Sequence, residues 1–515
     1  MANKNLFNLF KITRNEAGGK AYALTPKQAL AQYAATGCLN GTFYATAEQQ
    51  LQAVLDFCTA VDAPFIAKTA IFARERGFMK DMPALLCAVL ATRDIGLLEA
   101  IFPRVIDNGK MLRNFVQIVR SGATGRKSFG TAVKRILQRW LAARPDAALF
   151  ADSVGQSPSL VDIIKMVHPK PSGREAFFAY LLGFPHDEAK LPRAVQEYEA
   201  YKRGESSIVP NVSFQMLTSL KLTTNDWIAI ARNASWQMTR MNLNTFARHG
   251  VFADQEVTKL IAERIADPET IAKARAFPYQ LMTAYAAADG KTIPAIVRDA
   301  LHRAMETAIA NVPAIRGKVY VCPDVSGSMR SPVTGQRGSA TTATRCIDVA
   351  ALMAAAIVRK NPTAEVLPFE EKVVRIRLDG DASVLHNAQK LAAIGGGGTN
   401  CSAPLAKLNK EKAKGELVIF VSDNESWADS RQGRGTAMMN EWNAFKERNP
   451  KARLVCIDIQ PYATVQVQER EDVLNIGGFS DAVFSIVADF AAGTLTPDHW
   501  VGIVEHTALE QNAVA

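Results

Sequence analysis

Residues 318–328 read KVYVCPDVSGS, and this stretch decides the fold of the last third of the chain. KVYVCPDV is a short β-rich run, and a Gly/Ser/Thr-rich loop follows it at once. The alternation continues into that loop, with Asp324, Ser326 and Ser328 two residues apart. In a turning loop their oxygens can converge while Val325 and Gly327 point away. Downstream, strands and helices alternate. The helix CIDVAALMAAAIVRK (346–360) precedes the strands AEVLPFE (364–370) and VVRIRL (373–378). Then come the helix VLHNAQKLAAI (384–394), the strand GELVIFVSD (415–423), the helix TAMMNEWNAFKERN (436–449) and the strand ARLVCIDIQ (452–460). A helix around AVFSIVADFAAG (482–493) closes the pattern. Such alternation predicts an α/β doubly wound, mostly parallel sheet, whose ligands sit at the carboxyl ends of the strands.

Two further elements end at that same sheet edge. Gly395–Gly398 lets a second loop approach closely and deliver Thr399. The strand ELVIFVSD ends on Asp423. Asp324, Ser326, Ser328, Thr399 and Asp423 thus supply two carboxylates and three hydroxyls, with no His or Cys. This hard, all-oxygen set suits Mg²⁺, with Mn²⁺ or Ca²⁺ as alternatives, and disfavours zinc or copper. An octahedral Mg²⁺ would keep waters and one exchangeable position for a partner's carboxylate or phosphate. No nucleophile, His or second metal cluster accompanies Asp423 and Glu425, so the pattern predicts binding rather than catalysis.

Working back toward the amino terminus, residues 25–312 read as helix after helix. TPKQALAQYAATGCL, TAEQQLQAVLDFCTAV, MLRNFVQIVRSG, SFGTAVKRILQRWLAARP and IPAIVRDALHRAMETAIA each carry apolar residues at spacings of three and four. Many short helices joined by short turns predict an α-solenoid of helical pairs, without a strict sequence period. The formal charge of +10 resides here: residues 1–315 hold 38 Lys and Arg against 27 Asp and Glu, and the remainder 22 against 23. Residues 101–150 alone hold ten basic groups and two acidic ones. That is the footprint of a polyanion binder, or of an ordinary soluble basic surface. Arg113, Arg120, Arg126, Lys127, Lys134, Arg135 and Arg139 recur at spacings that can place several on one face of successive helices. Lys165, His168 and Lys170 follow in IIKMVHPKP.

The remaining composition excludes several classes. No stretch reaches the roughly 18 apolar residues of a membrane span. The first twenty residues lack a signal-peptide core. Cysteines 38, 58, 87, 322, 346, 401 and 456 are odd in number and without CxxC spacing. They read as reduced thiols of a cytoplasmic protein.

From about 316 to 500 the chain resembles the von Willebrand factor A domain with its metal-ion-dependent adhesion site. The earlier half carries GGKAYALTPKQALAQYAATGCLNGTFYAT (18–46), MVHPKPSG (166–173) and ETIAKARAFPYQLMTAY (269–285). These resemble elements of the TROVE module of the Ro ribonucleoprotein family. GGGGTNCSAPL, IFVSDNESWA, LVCIDIQ and VLNIGGFSD have counterparts in Ro specifically. The resemblance implies a mainly α helical-repeat (HEAT-like) ring over 14–315 and a von Willebrand factor A-like domain over 316–500. It implies that small non-coding Y-like RNAs bind the basic outer surface. Single-stranded 3′ ends of misfolded or fragmentary RNA would enter the central hole. A Y RNA could tether the ring to an exoribonuclease such as polynucleotide phosphorylase, and the chain would serve as a monomeric platform in RNA quality control or decay. His168 matches the histidine of the family's RNA-contacting element, and Lys165 a basic residue just before it. Two features depart from the family. ALFADSVGQSPSLVDII (148–164) is nearly charge-neutral where vertebrate members are basic, and Pro323 stands where an apolar strand residue is usual. The second reading is a metal-dependent protein-interaction adaptor without RNA as its main ligand.

Overall fold

The computed structural model describes residues 12–510 apart from 37–38, 275, 277, 289, 310–311, 313, 337, 339–341, 381, 428–435, 479–480 and 495–498. Arg275 and Phe277 of the TROVE-like segment and part of the VLNIGGFSD segment therefore lie outside the described residues. The chain clusters into two compact units built from interleaved stretches. One holds the N-terminal stretch through Phe65, Ala266–Ala287 and Asp299–Thr507. The other holds Ile66–Ile265, Ala288–Arg298 and the stretch from Ala508.

The second unit is helical, as the apolar periodicity predicts. The helix Gly109–Ser121 buries Met111, Leu112, Phe115, Val116 and Val119 along one stripe. Asn108 caps its start by accepting from Met111 N at 3.0 Å. Gly122, at φ 85°, ends it in the left-handed conformation that a Cβ disfavours. Gly130–Ala143 buries Val133, Ile136, Leu137, Trp140 and Leu141. Leu160–Val167 starts on a Ser159–Asp162 capping box and buries Leu160, Ile163, Ile164 and Val167. In each case the polar side chains between the apolar ones face outward, which is how the basic residues reach the surface.

The first unit contains two sheets. A hairpin of β1 (Ile12–Arg14) and β2 (Lys20–Ala23) pairs antiparallel with the short β7 (Thr464–Val465). The main sheet holds five parallel strands in the order β4-β3-β5-β6-β8. They span Glu365–Val366 (β4), Val319–Pro323 (β3), Leu417–Ser422 (β5), Arg453–Asp458 (β6) and Val473–Gly477 (β8). β3, β5 and β8 are buried along their full lengths, as strands covered on both faces must be. On one face Tyr320, Cys322, Phe420 and Cys456 pack with Trp442 and Phe445 of the helix Ala437–Arg448. The helix Cys346–Lys360 carries an almost continuous buried Ala/Ile/Leu surface. Pro323 ends β3 without breaking the sheet: its carbonyl accepts from Phe369 N at 3.1 Å, and Asp324 N continues the ladder to Val421 O at 2.9 Å.

One expectation is corrected. VVRIRL (373–378) alternates like a strand but forms none. The chain reverses at 370–372, Glu370 N donating to Lys372 O at 3.0 Å and Val374 N to Pro368 O at 2.7 Å. Val373 makes only an isolated bridge back to Phe369. The reversal turns the segment back along Pro368–Phe369, so it does not run on as a further strand of the ladder.

Candidate nucleic-acid and metal sites

The basic residues of the helical unit divide by what they touch. Arg126 donates to the carbonyls of Ala91 at 2.5 Å, Ser128 at 2.8 Å and Phe129 at 2.6 Å. Arg113 donates to Asp152 O at 3.0 Å and lies against Gly155, where an added Cβ would stand 2.7 Å from the guanidinium. Partial burial lowers the Arg113 pKa, against the pull of Asp152. Arg139 is ion-paired with Glu99. Arg126 and Arg113 are tied into the helical unit through backbone carbonyls, whereas Arg139 stays exposed in a surface ion pair. Lys127, Lys134, Arg135, Lys165, His168 and Lys170 are exposed. None of the six makes an ion pair among the described residues.

Arg120 and Lys165 come together. They line a cleft of about 630 Å³ with Gln117, Ser121, Asp162 and Met166, and Ser157 and Pro158 complete it. The helix Gly109–Ser121 supplies Arg120 from its polar face, and Leu160–Val167 supplies Lys165. Arg120 is steadied by a contact to Met166 Sδ at 3.2 Å. His168 follows directly as the C-cap of the second helix, left-handed at φ 51°. Its carbonyl and that of Val167 accept from Gln138 Nε2 at 3.3 and 2.6 Å, which fixes the backbone while the imidazole stays exposed. Sequence reasoning counted charges and could not tell the tethered guanidiniums from the free ones.

In the other unit, Asp324, Ser326, Ser328, Thr399 and Asp423 are all buried at the carboxyl ends of β3 and β5 and in the loop before Cys401. Asp324 Oδ1 accepts from Ser326 N at 2.8 Å. Ser326 Oγ lies 3.3 Å from Ser328 Oγ. Ser328 also hydrogen-bonds the Asp423 carboxylate. The glycine loop comes close because it must: a Cβ at Gly395, itself at φ 78°, would stand 2.2 Å from Val325 O. Burial, then the Asp423 charge, raises the Asp324 pKa, and burial raises that of Asp423. Among the described residues no Lys or Arg pairs with either carboxylate. Two buried, mutually repelling carboxylates beside three hydroxyls suit a hard divalent cation. Among the described residues, no group of three His, Cys, Asp or Glu side chains is placed to hold a metal.

Three contributors, Ser422, Tyr44 and Asn15, were missed from sequence, and a fourth, Glu425, was noticed there only as a neighbour of Asp423. Ser422 donates from Oγ to Asp324 Oδ2 at 2.6 Å and accepts from Asn424 N at 3.0 Å, orienting the first carboxylate. Its place beside Asp423 was the available signal. Tyr44 shares a hydrogen bond with Ser328, and burial with the nearby carboxylates raises its pKa. Glu425 is buried and accepts from Ala17 N at 3.0 Å through Oε2, while Oε1 has no partner among the described residues. Burial and Asp423 push its pKa up to about 9. Asn15 donates to Ser426 O at 2.8 Å, and a Cβ on Gly19 would meet that same carbonyl at 1.9 Å. The N-terminal hairpin thus clamps the loop after Asp423. Ala17 and Glu425 stand 408 residues apart in sequence, where no local pattern reaches.

Residues 318–491 match the family model of the Ro60 vWA domain. This stretch of the chain is similar to the Ro60 von Willebrand factor A domain. The likeness extends beyond it. The chain is 24% identical to the RNA-binding protein RO60 of Deinococcus radiodurans, over 93% of this chain and 95% of that one. It is also 24% identical to the RNA-binding protein RO60 of Caenorhabditis elegans, over 61% of this chain and 52% of that one. The crystal structure of the Deinococcus radiodurans RO (RSR) protein superposes with a TM-score of 0.62 at 20% identity, covering 91% of this chain and all of that one. The Ro resemblance read from separate motifs therefore holds along most of the chain, and the mainly helical plus α/β architecture is that of the Deinococcus protein. No helix among the described residues is long and apolar enough to cross a membrane.

Proposed function

We propose that this protein binds RNA through its helical unit and acts as a non-catalytic platform in RNA quality control or decay. The observation that carries the reading is the cleft in which Arg120 and Lys165 converge, with exposed His168 and Lys170 following and Lys134 and Arg135 on a neighbouring helix. The names of its relatives agree with it. Lys and Arg supply phosphate contacts, and an exposed imidazole can stack on a base or donate to a phosphate. The ligands in this reading are a Y-like non-coding RNA and the single-stranded 3′ ends of misfolded RNA. An exoribonuclease such as polynucleotide phosphorylase is the kind of partner such a platform would serve in the cytoplasm.

The metal reading belongs to the same proposal: Asp324, Ser326, Ser328, Thr399 and Asp423 would hold Mg²⁺ and leave one position to an external oxygen ligand. When bound, the ion supplies a Lewis-acidic docking point. The protein's part is to orient the five oxygens, through Ser422 on Asp324 and the hairpin on the Asp423 loop.

The test is fluorescence anisotropy with a structured RNA bearing a single-stranded 3′ tail. Binding should fall steeply between about 50 and 200 mM salt, and Arg120→Glu with Lys165→Glu should weaken it at least tenfold. Unchanged affinity in that double variant at low salt would place RNA elsewhere. Calorimetry with Mg²⁺ should show binding that Asp324→Ala removes.

A further inference from the structure

A second cavity of the helical unit lies between the helices Ile95–Val105 and Gly130–Ala143. Its volume is about 380 Å³, at the small end of the range for pockets that take organic ligands. Phe102, Ile136 and Trp140 line it from the buried stripes of the two helices, and the exposed Pro103 and Pro145 complete its apolar wall. The indole N–H of Trp140 donates to Ile106 O, so it is not available to a ligand. Arg144 also lines the cavity. Its Nε and Nη2 bond Asp152 Oδ2 at 2.7 and 2.6 Å, and its Nη1 donates to Asp107 O at 2.9 Å. One face of the guanidinium lies over Trp140, with Cζ 4.7 Å from the ring centroid. With each nitrogen engaged, what Arg144 has left to offer is its second face, and a fixed guanidinium plane stacks well on a flat heteroaromatic ring.

Polar groups stand at the exposed end of the same cavity. Glu99 and Arg139 form an ion pair there, both side chains exposed. Such a surface pair contributes little to stability and yields readily to a ligand. A carboxylate beside a guanidinium presents an acceptor next to donors. Pro103 adds a further acceptor: lacking an N–H, it leaves the Glu99 carbonyl without its usual helical donor four residues on. Arg135 stands one turn back on the same helix face as Arg139, about 6 Å along the axis. It is exposed and has no ion pair among the described residues.

We propose that this cavity takes one unstacked purine base of a bound single-stranded RNA. The ring lies against the Arg144 plane and the proline walls, its edge meets Glu99 and Arg139, and the adjoining phosphate reaches Arg135. The inference rests on RNA binding by the helical unit and adds a base-reading pocket to it, since exposed lysines and arginines alone contact phosphates and carry no base information. The chemistry favours a base over an apolar side chain of a protein partner. Phe or Leu would fill the apolar walls and leave the Glu99 carbonyl and the opened ion pair without partners. A purine stacks over a larger area than a pyrimidine and so gains more from the Arg144 plane.

The experiment titrates the full chain, by anisotropy, with a structured RNA whose single-stranded 3′ tail is all uridine or carries one adenosine at each position in turn. Matched RNAs carry an abasic ribose there instead. At the best position adenosine should bind about tenfold more tightly than the abasic ribose (about 1.4 kcal/mol), with uridine between them. Ala143 lines the cavity from an exposed position, so Ala143→Trp places an indole in it. That variant should cut the adenosine advantage to threefold or less, while Tm is unchanged and affinity for the all-uridine tail stays within about threefold. Purine riboside lacks the exocyclic amine of adenosine; the margin of adenosine over it should vanish in Glu99→Ala. Equal affinity for adenosine, uridine and abasic tails at every position overturns the proposal, as does an adenosine advantage that survives Ala143→Trp and Glu99→Ala. Failure of the wild-type chain to bind any of these RNAs overturns the RNA reading first, and the all-uridine tail alone reveals that failure. Adenosine 5′-monophosphate is the remaining arm. If it binds the wild-type chain and not Ala143→Trp, while RNA shows no adenosine preference, the cavity is a free-nucleotide site and the assignment to RNA fails.

Discussion

Arg126 and the Lys134–Arg135 pair carry the same kind of charge on nearby stretches of chain, yet their replacement should have opposite signatures. The Arg126 guanidinium is shared among three backbone carbonyls, those of Ala91, Ser128 and Phe129. Hydrogen bonds from a charged donor contribute about 1.5–3 kcal/mol each, and partial exposure lets water replace some of that. Counting roughly 1 kcal/mol for each of the three bonds, Arg126→Ala should destabilise the helical unit by about 3 kcal/mol. In a unit of this size that corresponds to a Tm lower by on the order of 6–12 °C. Lys134 and Arg135 are exposed with no ion pair among the described residues, so Lys134→Glu with Arg135→Glu should move Tm by no more than about 2 °C, the scale of an ordinary surface substitution. Thermal unfolding followed by circular dichroism, paired with RNA anisotropy at low salt, separates the two. Arg126→Ala should lose stability while the folded fraction keeps RNA affinity within about twofold, and the double reversal should do the converse. If Arg126→Ala leaves Tm unchanged and weakens RNA as strongly as the double reversal, then Arg126 faces the ligand and is not a structural arginine.

Three other outcomes can be checked. Ser422→Ala removes the hydroxyl that orients Asp324, so Mg²⁺ affinity should drop about tenfold by calorimetry, the usual scale for an outer-shell partner; unchanged affinity would mean Asp324 needs no such support. Neutralising Lys134 and Arg135 together should reduce the slope of log affinity against log salt by about 1.4 on a single-stranded target, roughly 0.7 for each phosphate no longer neutralised, and an unaltered slope would show that neither touches a phosphate. Glu469 accepts from Asn475 N and Nδ2, both at 2.9 Å, yet burial holds its pKa at about 7, above the ordinary 4.5. A carboxyl raised in the folded state favours folding while protonated. Its contribution is complete below about pH 4.5 and is lost as pH climbs to about 7, roughly 3 kcal/mol in all. Wild-type Tm should therefore fall relative to Glu469→Gln between about pH 5 and 8, and parallel curves would refute the assignment.

The sequence by itself determined what depends on neighbours along the chain. Apolar spacing of three and four sets the helices, because each stripe must be buried. Strand–helix alternation sets the parallel sheet. The five buried oxygen-bearing residues were legible because Asp324 and Asp423 each end a strand and Thr399 ends a run of glycines. Parallel strands bring such ends to one edge whatever else the chain does. VVRIRL shows the limit of that reasoning, since the reversal at 370–372 leaves only Val373 in a bridge and no strand follows.

Tertiary structure decided which charges are available and which distant groups complete a site. A sequence displays Arg126 and Arg135 alike, and only folding puts three carbonyls around one and water around the other. Nothing local announces that Asn15, Ala17 and Gly19 clamp the loop at Glu425–Ser426. Nor does it announce that Tyr44 reaches Ser328, or that the Trp427 ring packs against Gly398 where a Cβ would clash. Each of these depends on the close approach of chain segments far apart in sequence. The energy of such approaches is set by geometry, which no spacing pattern encodes.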